Sequence, residues 1–212
     1  MTFKHSKIDM ITIVDLDLGN SRSIVNMLNR LGFRSEITRD NKKINRAEKI
    51  ILPGVGSFDT AMKNLDKYGL IEPLQKKALD EKVPFLGICL GMQLLTNSSE
   101  EGNLNGLGWI EGKAKKFHSH DGIKVPHMGW NFVKYNKESK ICKNLDPNSR
   151  FYFVHSYYVQ VKNSEHSCMK TNYSLVFDSA IEKNNIYGVQ FHPEKSHKFG
   201  MQILRNFADM KC

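Results

Sequence analysis

Pro84–Leu95, with the sequence PFLGICLGMQLL, decides the fold of this chain. Its first half is an apolar run typical of a buried strand, and its second half predicts a helix. Between them lies the pattern G-x-C-x-G, Gly87 to Gly91, which indicates a sharp strand-to-helix turn around a nucleophile. A buried strand that runs directly into a helix is half of a β-α-β unit. The segment therefore favours parallel strands covered by helices.

The rest of the first half repeats this alternation of strands and helices, whereas short strand-like pieces dominate the second half. The predicted fold class is α/β, with a mainly parallel central sheet, helices on both faces and additional short strands in the second half. The predicted helices are Ser23–Leu31, Phe58–Leu65, Pro73–Lys82 and about His197 to Asp209. The predicted strands are Met10–Asp15, Lys49–Leu52, Val83–Ile88, Ile123–Val125, Asn131–Tyr135, Phe151–Val161, Ser174–Glu182 and Ile186–Phe191.

The chemistry of the turn centres on Cys89. Glycine at positions 87 and 91 leaves room for a tight turn that lifts the sulfur towards the carboxyl edge of the sheet, where ligands bind. The following helix directs its positive end at the sulfur and favours the thiolate, and the amide N–H of Leu90 can face an oxyanion. The alternative is that Cys89 is a small buried apolar residue, the usual fate of a free cysteine.

Two possible partners for the sulfur follow a later strand, in Phe191-His192-Pro193-Glu194. Residues two apart in an extended chain point the same way, and proline stiffens the segment. Glu194 can therefore accept a hydrogen bond from one ring nitrogen of His192 while the other nitrogen takes the proton of Cys89. Taken singly, His192 is better explained as an ordinary histidine at a strand end, and Glu194 as a solvated surface acid.

A third element is the loop Pro53–Ser57, which follows a predicted strand. Gly54 and Gly56 let backbone N–H groups of the loop approach a ligand closely. We interpret this loop, with Val55 between the glycines, as the second half of an oxyanion hole. A plain connection between a strand and a helix is the alternative.

Composition narrows the class of protein. The 212 residues suffice for a full hydrophobic core, and no apolar run approaches the roughly 18 residues needed to cross a membrane. Because the N-terminus lacks the apolar core of a signal peptide, a cytoplasmic location without a membrane partner is expected. The net charge of +9 comes from scattered lysines without a basic stripe, so nucleic acid is not an expected partner. The four cysteines form no C-x-x-C pair, and no cluster of acids or cysteines accompanies His118 and His120, so no metal site is predicted.

The chain resembles the class I (triad) glutamine amidotransferases in three segments, in the order and near the spacing of that family. These segments are Pro53-Gly54-Val55-Gly56, Gly87 to Gln93 (GICLGMQ) and Phe191 to Glu194 (FHPE). Within the family, Val125–Asn131 (VPHMGWN) and Phe151–Tyr158 (FYFVHSYY) are similar to the glutaminase subunits of imidazole glycerol phosphate synthases. The resemblance runs from about Met10 to the C-terminus.

The resemblance implies a flavodoxin-like sheet in one glutamine amidotransferase domain over residues 1–212, with residues 1–9 or so as an N-terminal extension. It implies that Cys89 is the nucleophile, His192 the base and Glu194 the acid that orients the base, without a cofactor. The further roles that it implies are an oxyanion hole at Gly54, Val55, Gly56 and Leu90, substrate binding at Gln93, Ser156 and Tyr157, and a partner interface at Asn20, Trp130 and Lys195.

The function implied by the resemblance is hydrolysis of L-glutamine through a cysteine thioester. The ammonia would pass to a cyclase subunit, a β/α barrel, that makes imidazole glycerol phosphate and an aminoimidazole carboxamide ribotide in histidine biosynthesis. We expect low activity of the chain alone, because partner binding would complete the oxyanion hole near Gly54 to Gly56.

One loop departs from the family, whose first strand usually ends in Asp-Tyr-Gly-x-Gly-Asn. Here Leu16 and Asp17 replace the tyrosine and the glycine, in a loop that lies towards the partner in the family. The identity of the partner therefore stays open. A paralogous glutaminase that feeds ammonia to a sugar amidotransferase in surface-polysaccharide biosynthesis is one alternative. A non-catalytic scaffold or regulatory protein of the same fold, and a cysteine peptidase on a related sheet, are the others.

Overall fold

The strand that ends at Cys89 lies in the middle of a large sheet in the computed structural model, which describes residues 10–19, 21–119 and 124–211. The strands, in chain order, are β1 (Ile11–Val14), β2 (Ser35–Thr38), β3 (Lys49–Gly54), β4 (Phe85–Cys89), β5 (Ser98–Ser99), β6 (Gly112–Lys116), β7 (His127–Phe132), β8 (Lys134–Tyr135), β9 (Arg150–His155), β10 (Tyr157–Val161), β11 (Ser167–Tyr173), β12 (Leu175–Lys183) and β13 (Ile186–Val189). The α-helices are α1 (Ser21–Arg30), α2 (Asn41–Ile44), α3 (Phe58–Lys67), α4 (Ile71–Gln75), α5 (Leu90–Leu94) and α6 (His197–Ala208).

The centre of the sheet consists of parallel strands in the order β2-β1-β3-β4-β13. β12 pairs antiparallel with β13 and leads outward to β10, β6 and β5, while β11 and β8 extend from β12. β7 and β9 form a separate antiparallel pair. The predicted fold class, an α/β fold with a parallel sheet centre and added short strands, is confirmed.

Helices cover both faces of the central strands. Alternate residues of a strand point to opposite faces, and in β4 Leu86 and Ile88 join the apolar cluster of α1 and α6. Phe85 instead joins the cluster of α3, α4 and α5 on the other face. This two-sided burial explains why the central strands read as continuous apolar runs. None of the helices in the described ranges is long and apolar enough to cross a membrane.

The second half differs from the sequence prediction in one respect that shapes the site. The predicted strand Phe151–Val161 is divided at Ser156, because the chain leaves the small sheet there and enters the large one. The carbonyl of Ser156 accepts a hydrogen bond from the Phe117 amide, 3.0 Å away, which holds the crossing point. The crossing brings Ser156 and Tyr157 to the edge of a cavity beside Cys89.

Smaller differences concern segments without a clear apolar period. Lys124 and Val125 are not in a strand, and Ile123 lies outside the described residues. The predicted helix Pro73–Lys82 is α4 followed by one wider helical turn over Lys76–Asp80. The strands β2, β5, β6 and β11 and the helix α2 were not predicted. β11 buries the hydroxyl residues Ser167 and Thr171, so its pattern of apolar residues is broken.

A buried pair of histidines in the small sheet is hydrogen-bonded to the large sheet through Tyr157. His155 Nδ1 donates to the Tyr157 carbonyl at 2.8 Å, which leaves its Nε2 to accept from His127 Nδ1 at 3.0 Å. His127 Nε2 in turn accepts from the Asn131 amide at 3.2 Å. Burial lowers the pKa of His127 to about 4. Burial, together with the neighbouring His127, lowers the pKa of His155 to about 3. Both rings are therefore neutral in the folded protein at neutral pH.

This pair predicts loss of stability in weak acid. The unfolded chain takes up a proton on each ring below about pH 6.5, whereas the folded chain does not until about pH 4 or below. The free energy of unfolding should therefore fall as the pH drops from 6.5 to 4, by up to ~1.4 kcal/mol per pH unit for each ring. Urea unfolding at several pH values measures this slope. In His127→Phe, which keeps an aromatic ring, the slope should be roughly halved; an unchanged slope would contradict the assignment.

Candidate active site

Cys89 sits at a strained turn. It is the last residue of β4 and directly precedes α5, with a backbone φ of 54° and ψ of −109° that side-chain-bearing residues rarely adopt. A Cβ on Gly87 would lie 2.6 Å from the carbonyl oxygen of Gly91. A Cβ on Gly91 would lie 1.8 Å from the carbonyl oxygen of Leu52. Only glycine fits at either side of the cysteine, so the G-x-C-x-G pattern is explained by backbone contacts.

His192 and Glu194 form a direct pair at the end of the neighbouring strand. β13 lies beside β4 in parallel register, and His192 follows three residues after its end. The His192 Nδ1 atom is 2.7 Å from Glu194 Oε1, and both side chains are buried. The Ser196 hydroxyl donates to the His192 carbonyl at 2.6 Å, and the His192 amide donates to the Tyr152 carbonyl at 2.9 Å. Hydrogen bonds therefore fix both the backbone and the ring of His192.

The other ring nitrogen of His192 is available to the sulfur. Nε2 is buried and has no hydrogen-bond partner in residues 10–19, 21–119 and 124–211. Burial of the ring opposes protonation, but the Cys89 sulfur and the Glu194 carboxylate outweigh it and raise the pKa of His192 to about 10. The site thus favours an imidazolium next to Cys89, an arrangement that activates a cysteine as a nucleophile. The structure brings together the three residues predicted for catalysis.

A cavity of about 310 Å³ opens beside the sulfur. On one side it meets Val55, Gly56 and Leu90, which are three of the four residues predicted for the oxyanion hole. Gly54 pairs with Cys89 across β3 and β4, and a Cβ on it would lie 3.1 Å from the Leu90 Cβ. The loop after β3 and the start of α5 are therefore neighbours. Val55 and Gly56 of the loop and Leu90 of the helix border the cavity side by side.

The three residues predicted for substrate binding line the same cavity. Gln93 Nε2 donates both of its hydrogens inside the protein, to the Tyr157 carbonyl at 3.1 Å and to Gln190 Oε1 at 3.3 Å. Its Oε1 atom is the part of the amide left for a ligand. Ser156 and Tyr157 form the opposite wall, where the chain crosses between sheets.

Comparison with known proteins identifies the family. The family description "Glutamine amidotransferase class-I" matches residues 12–210, nearly the whole chain. The chain belongs to the class-I glutamine amidotransferase family. The resemblance stated from the sequence is therefore confirmed, and so is the enzyme class, a glutamine amidotransferase.

Similar members of the family carry the name of one subunit. "Imidazole glycerol phosphate synthase subunit HisH 2" of Methanococcus maripaludis is 57% identical over 198 residues, which cover 93% of this chain and 98% of the relative. The protein of the same name from Pseudomonas aeruginosa is 45% identical over 201 residues, 95% of this chain and all of the relative. The crystal structure of a putative GMP synthase subunit from Thermoplasma acidophilum shows the same fold, with a TM-score of 0.73 at 21% identity over 96% of this chain and 94% of that one.

Two of the residues predicted for the partner interface of this glutamine amidotransferase lie close together on its surface. Trp130 is 42% exposed in β7, and its ring is 6.2 Å from that of Tyr152. The Lys195 ammonium lies 5.7 Å from the centre of the same Tyr152 ring. Asn20, the third predicted residue, lies outside the described residues, as does His120. No cluster of potential metal ligands occurs in the ranges that the structure describes.

Sequence reasoning assigned no chemical role to three polar residues at this amidotransferase site. Glu101 and His155 line the cavity, and Gln190 donates to the Cys89 sulfur at 3.8 Å. Glu101 is fixed by the Phe58 amide, which donates to its carboxylate at 2.7 Å. Gln190 alone had a signal in the sequence, since it lies two residues before His192, although bends at Gln190 and Phe191 separate the two from the strand.

Glu194→Gln should shift the pH profile of glutamine hydrolysis. The amide oxygen still accepts from the ring, but the charge that stabilises the imidazolium is lost, so the pKa of His192 falls from about 10 towards its usual value. The protonated ring is then lost at lower pH, and the alkaline limb of kcat/KM should move to lower pH, with a decrease of tenfold or more at pH 8. Steady-state kinetics from pH 6 to 10 measure this. Glu165→Gln, at an exposed position away from the cavity, is the control; an alkaline limb that stays in place in Glu194→Gln would contradict the assigned pair.

Proposed function

We propose that this chain is the glutaminase subunit of an imidazole glycerol phosphate synthase, which releases ammonia from L-glutamine and passes it to a cyclase partner in histidine biosynthesis. The observation that carries the proposal is the strained Cys89 beside the His192–Glu194 pair, at the wall of a cavity. The names of the similar family members support this synthase over a sugar amidotransferase. The cytoplasmic location and the assignment of residues 1–212 to one domain remain predictions.

The proposed reaction has two halves. The Cys89 thiolate attacks the carboxamide carbon of glutamine, and the C=O electron pair moves to an oxygen that backbone N–H groups of Gly54 to Gly56 and Leu90 stabilise. The C–N bond then breaks while the His192 imidazolium gives its proton to the nitrogen, which leaves as ammonia from a glutamyl thioester. Neutral His192 takes a proton from water, whose oxygen attacks the thioester. Glutamate leaves, and the sulfur returns to the thiolate.

Substrate recognition is proposed for Gln93, Ser156 and Tyr157. Protein carbonyls hold both N–H groups of Gln93, so its oxygen is the group left for a ligand. An amide oxygen can only accept a hydrogen bond, which suits an ammonium or amide N–H group of glutamine. Ser156 offers a hydroxyl from the opposite wall, and the Tyr157 backbone fixes the orientation of Gln93. These contacts would align the carboxamide with the sulfur.

The oxyanion loop touches the loop that the family resemblance places towards the partner. A Cβ on Gly19 would lie 3.1 Å from the Val55 Cγ2, and Leu18 and Val55 line one small cleft with His192 and Glu194. A partner that moves residues 15–19 would therefore move the loop Gly54–Gly56. We propose that this contact aligns the N–H groups of the oxyanion hole and keeps the free chain slow.

The partner surface is proposed to centre on β7. Met128, Trp130 and Phe132 alternate along this strand, so they face one side, and all three are exposed. Large apolar side chains of this kind typify the core of a protein interface. Trp130 and Lys195 would contact the cyclase subunit, a β/α barrel, near the place where ammonia leaves. Direct transfer is needed because ammonia released into water at neutral pH is mostly protonated and no longer nucleophilic.

Cys89→Ser tests the nucleophile. The complex with the cyclase subunit should lose glutamine-dependent synthesis by at least about a thousandfold, because the hydroxyl is a much weaker nucleophile than the thiolate. Synthesis from an ammonium salt at pH 8.5 should persist, because the partner is untouched. Cys142→Ser, at a half-buried cysteine outside the cavity, is the matched control. Undiminished glutamate release from the Cys89 variant would refute the mechanism.

Trp130→Ala tests the partner surface. Removal of a central aromatic residue from an interface should weaken binding of the cyclase subunit by about thirtyfold, measured by calorimetry. Leu79→Ala, with 40% exposure at a site away from β7, should bind as the wild type does. Equal affinity of both variants for the cyclase subunit would contradict the placement of the interface at Trp130.

The identity of the partner is tested by mass spectrometry of proteins that copurify with the wild type but not with Trp130→Ala. A sugar amidotransferase among them would contradict the histidine pathway.

A further inference from the structure

Gln190 is a fully buried amide next to the nucleophile. It directly follows β13 and is 0% exposed, and its backbone N–H donates to the Ser179 carbonyl at 2.9 Å. That bond prolongs the pairing of β12 and β13 by one residue and fixes where the side chain starts. Nothing in the three-residue catalytic set requires a glutamine here. A buried amide is costly unless its polar atoms are bonded, so its partners indicate its use.

The direction of the Gln190 amide is set by a chain of hydrogen bonds. The Tyr157 carbonyl can only accept, so the Gln93 group 3.1 Å from it is the NH₂. The second hydrogen of that NH₂ goes to Gln190 at 3.3 Å, which must present its oxygen. The NH₂ of Gln190 is then on the other side and lies 3.8 Å from the Cys89 sulfur. Each amide thus orders the next, and the last group in the chain is a donor facing the sulfur.

We propose that Gln190 is a further residue of the catalytic site, which stabilises the negative charge on the Cys89 sulfur by an N–H···S hydrogen bond. This inference deepens the proposed glutaminase function and rests on it. A neutral donor complements His192, because it stabilises the thiolate without competing for the proton that the imidazole exchanges. It acts twice in the reaction: before attack on glutamine, and when the sulfur leaves the thioester.

The same chain ties the nucleophile to substrate recognition. Gln93 is the residue proposed to accept a hydrogen bond from glutamine with its remaining oxygen. A hydrogen bond to that oxygen polarises the amide and strengthens the bond from its NH₂ to Gln190, and through Gln190 to the sulfur. The charge on Cys89 is then best stabilised when glutamine is bound. A purely structural amide would show no such link.

The test is the pH dependence of Cys89 alkylation by iodoacetamide in the full-length free chain, followed by mass spectrometry of the Cys89 peptide. In Gln190→Met, which keeps the length but has no donor, the midpoint of the profile should rise by about one pH unit, and alkylation at pH 7 should slow by about tenfold. Gln190→Glu should raise the midpoint further, because a carboxylate repels the thiolate. The other titratable groups around the sulfur, His192 with Glu194, and Glu101, His155 and Tyr157 in the cavity wall, are the same in each variant.

Two controls separate the donor from packing. Ile181→Val removes a methyl group from the buried strand next to β13 but leaves the amide in place, so its midpoint should equal that of the wild type. Gln93→Met removes the hydrogen bond that orients Gln190, so the midpoint should shift in the same direction by a smaller amount. This variant also provides the test if Gln190→Met does not fold. An unchanged midpoint in Gln190→Met, or in Gln93→Met if it alone folds, overturns the proposal. A failure of the glutaminase function would instead appear as absent glutamate release from the complex with a normal alkylation profile.

Discussion

The site depends on the close contact between two backbones at Gly91. The carbonyl of Leu52 in β3 occupies the space that any side chain at position 91 would need, and the carbonyl of Gly91 does the same at Gly87. This contact lets α5 start immediately after β4 and forces Cys89 into its unusual conformation. Such strain costs of order 1–3 kcal/mol, and it persists because the surrounding strands are buried on both faces. Burial of these strands thus offsets the strain of the turn that carries Cys89.

With the sulfur fixed, the protonation state of the buried His192 ring depends on the groups next to it. Burial alone would keep the His192 ring neutral, yet Cys89 and Glu194 together reverse that preference. Glu194 can do so because its own backbone is two residues away along a segment stiffened by Pro193, so the 2.7 Å contact needs no long-range arrangement. The histidine pair 127 and 155, without an acid beside it, shows the opposite outcome in the same protein, a lowered pKa from burial. Burial is common to both sites, and the neighbouring Cys89 sulfur and Glu194 carboxylate decide the protonation state of His192.

The parts of this site that the sequence predicts are those whose geometry is local. The turn at Gly87 to Gly91 and the pair His192–Glu194 each lie within a few residues, and the family motifs add their order along the chain. The contact of Gln190 with Cys89 joins residues 101 positions apart, and that with Gln93 joins residues 97 apart. The crossing at Ser156 likewise depends on Phe117, far away in sequence. Periodicity carries no information on such pairings. The buried apolar runs of β1, β3, β4 and β13 made these strands predictable, whereas β2, β11 and the division of Phe151–Val161 were not.

The loop after β1 shows how a departure from the family pattern is accommodated. Asp17 has a φ of 57°, in the left-handed region that glycine fills most easily and that aspartate tolerates. Its carboxylate accepts from Arg39 and from the Tyr68 hydroxyl, and these hydrogen bonds lower the pKa of Asp17 to about 2. Leu16, in place of the usual tyrosine, is buried, and its carbonyl accepts from Asn64. The loop is thus tied to neighbouring elements by contacts of its own, while Gly19 still packs on Val55. The substitutions therefore change the exposed surface of this loop and leave its contact with Val55 in place.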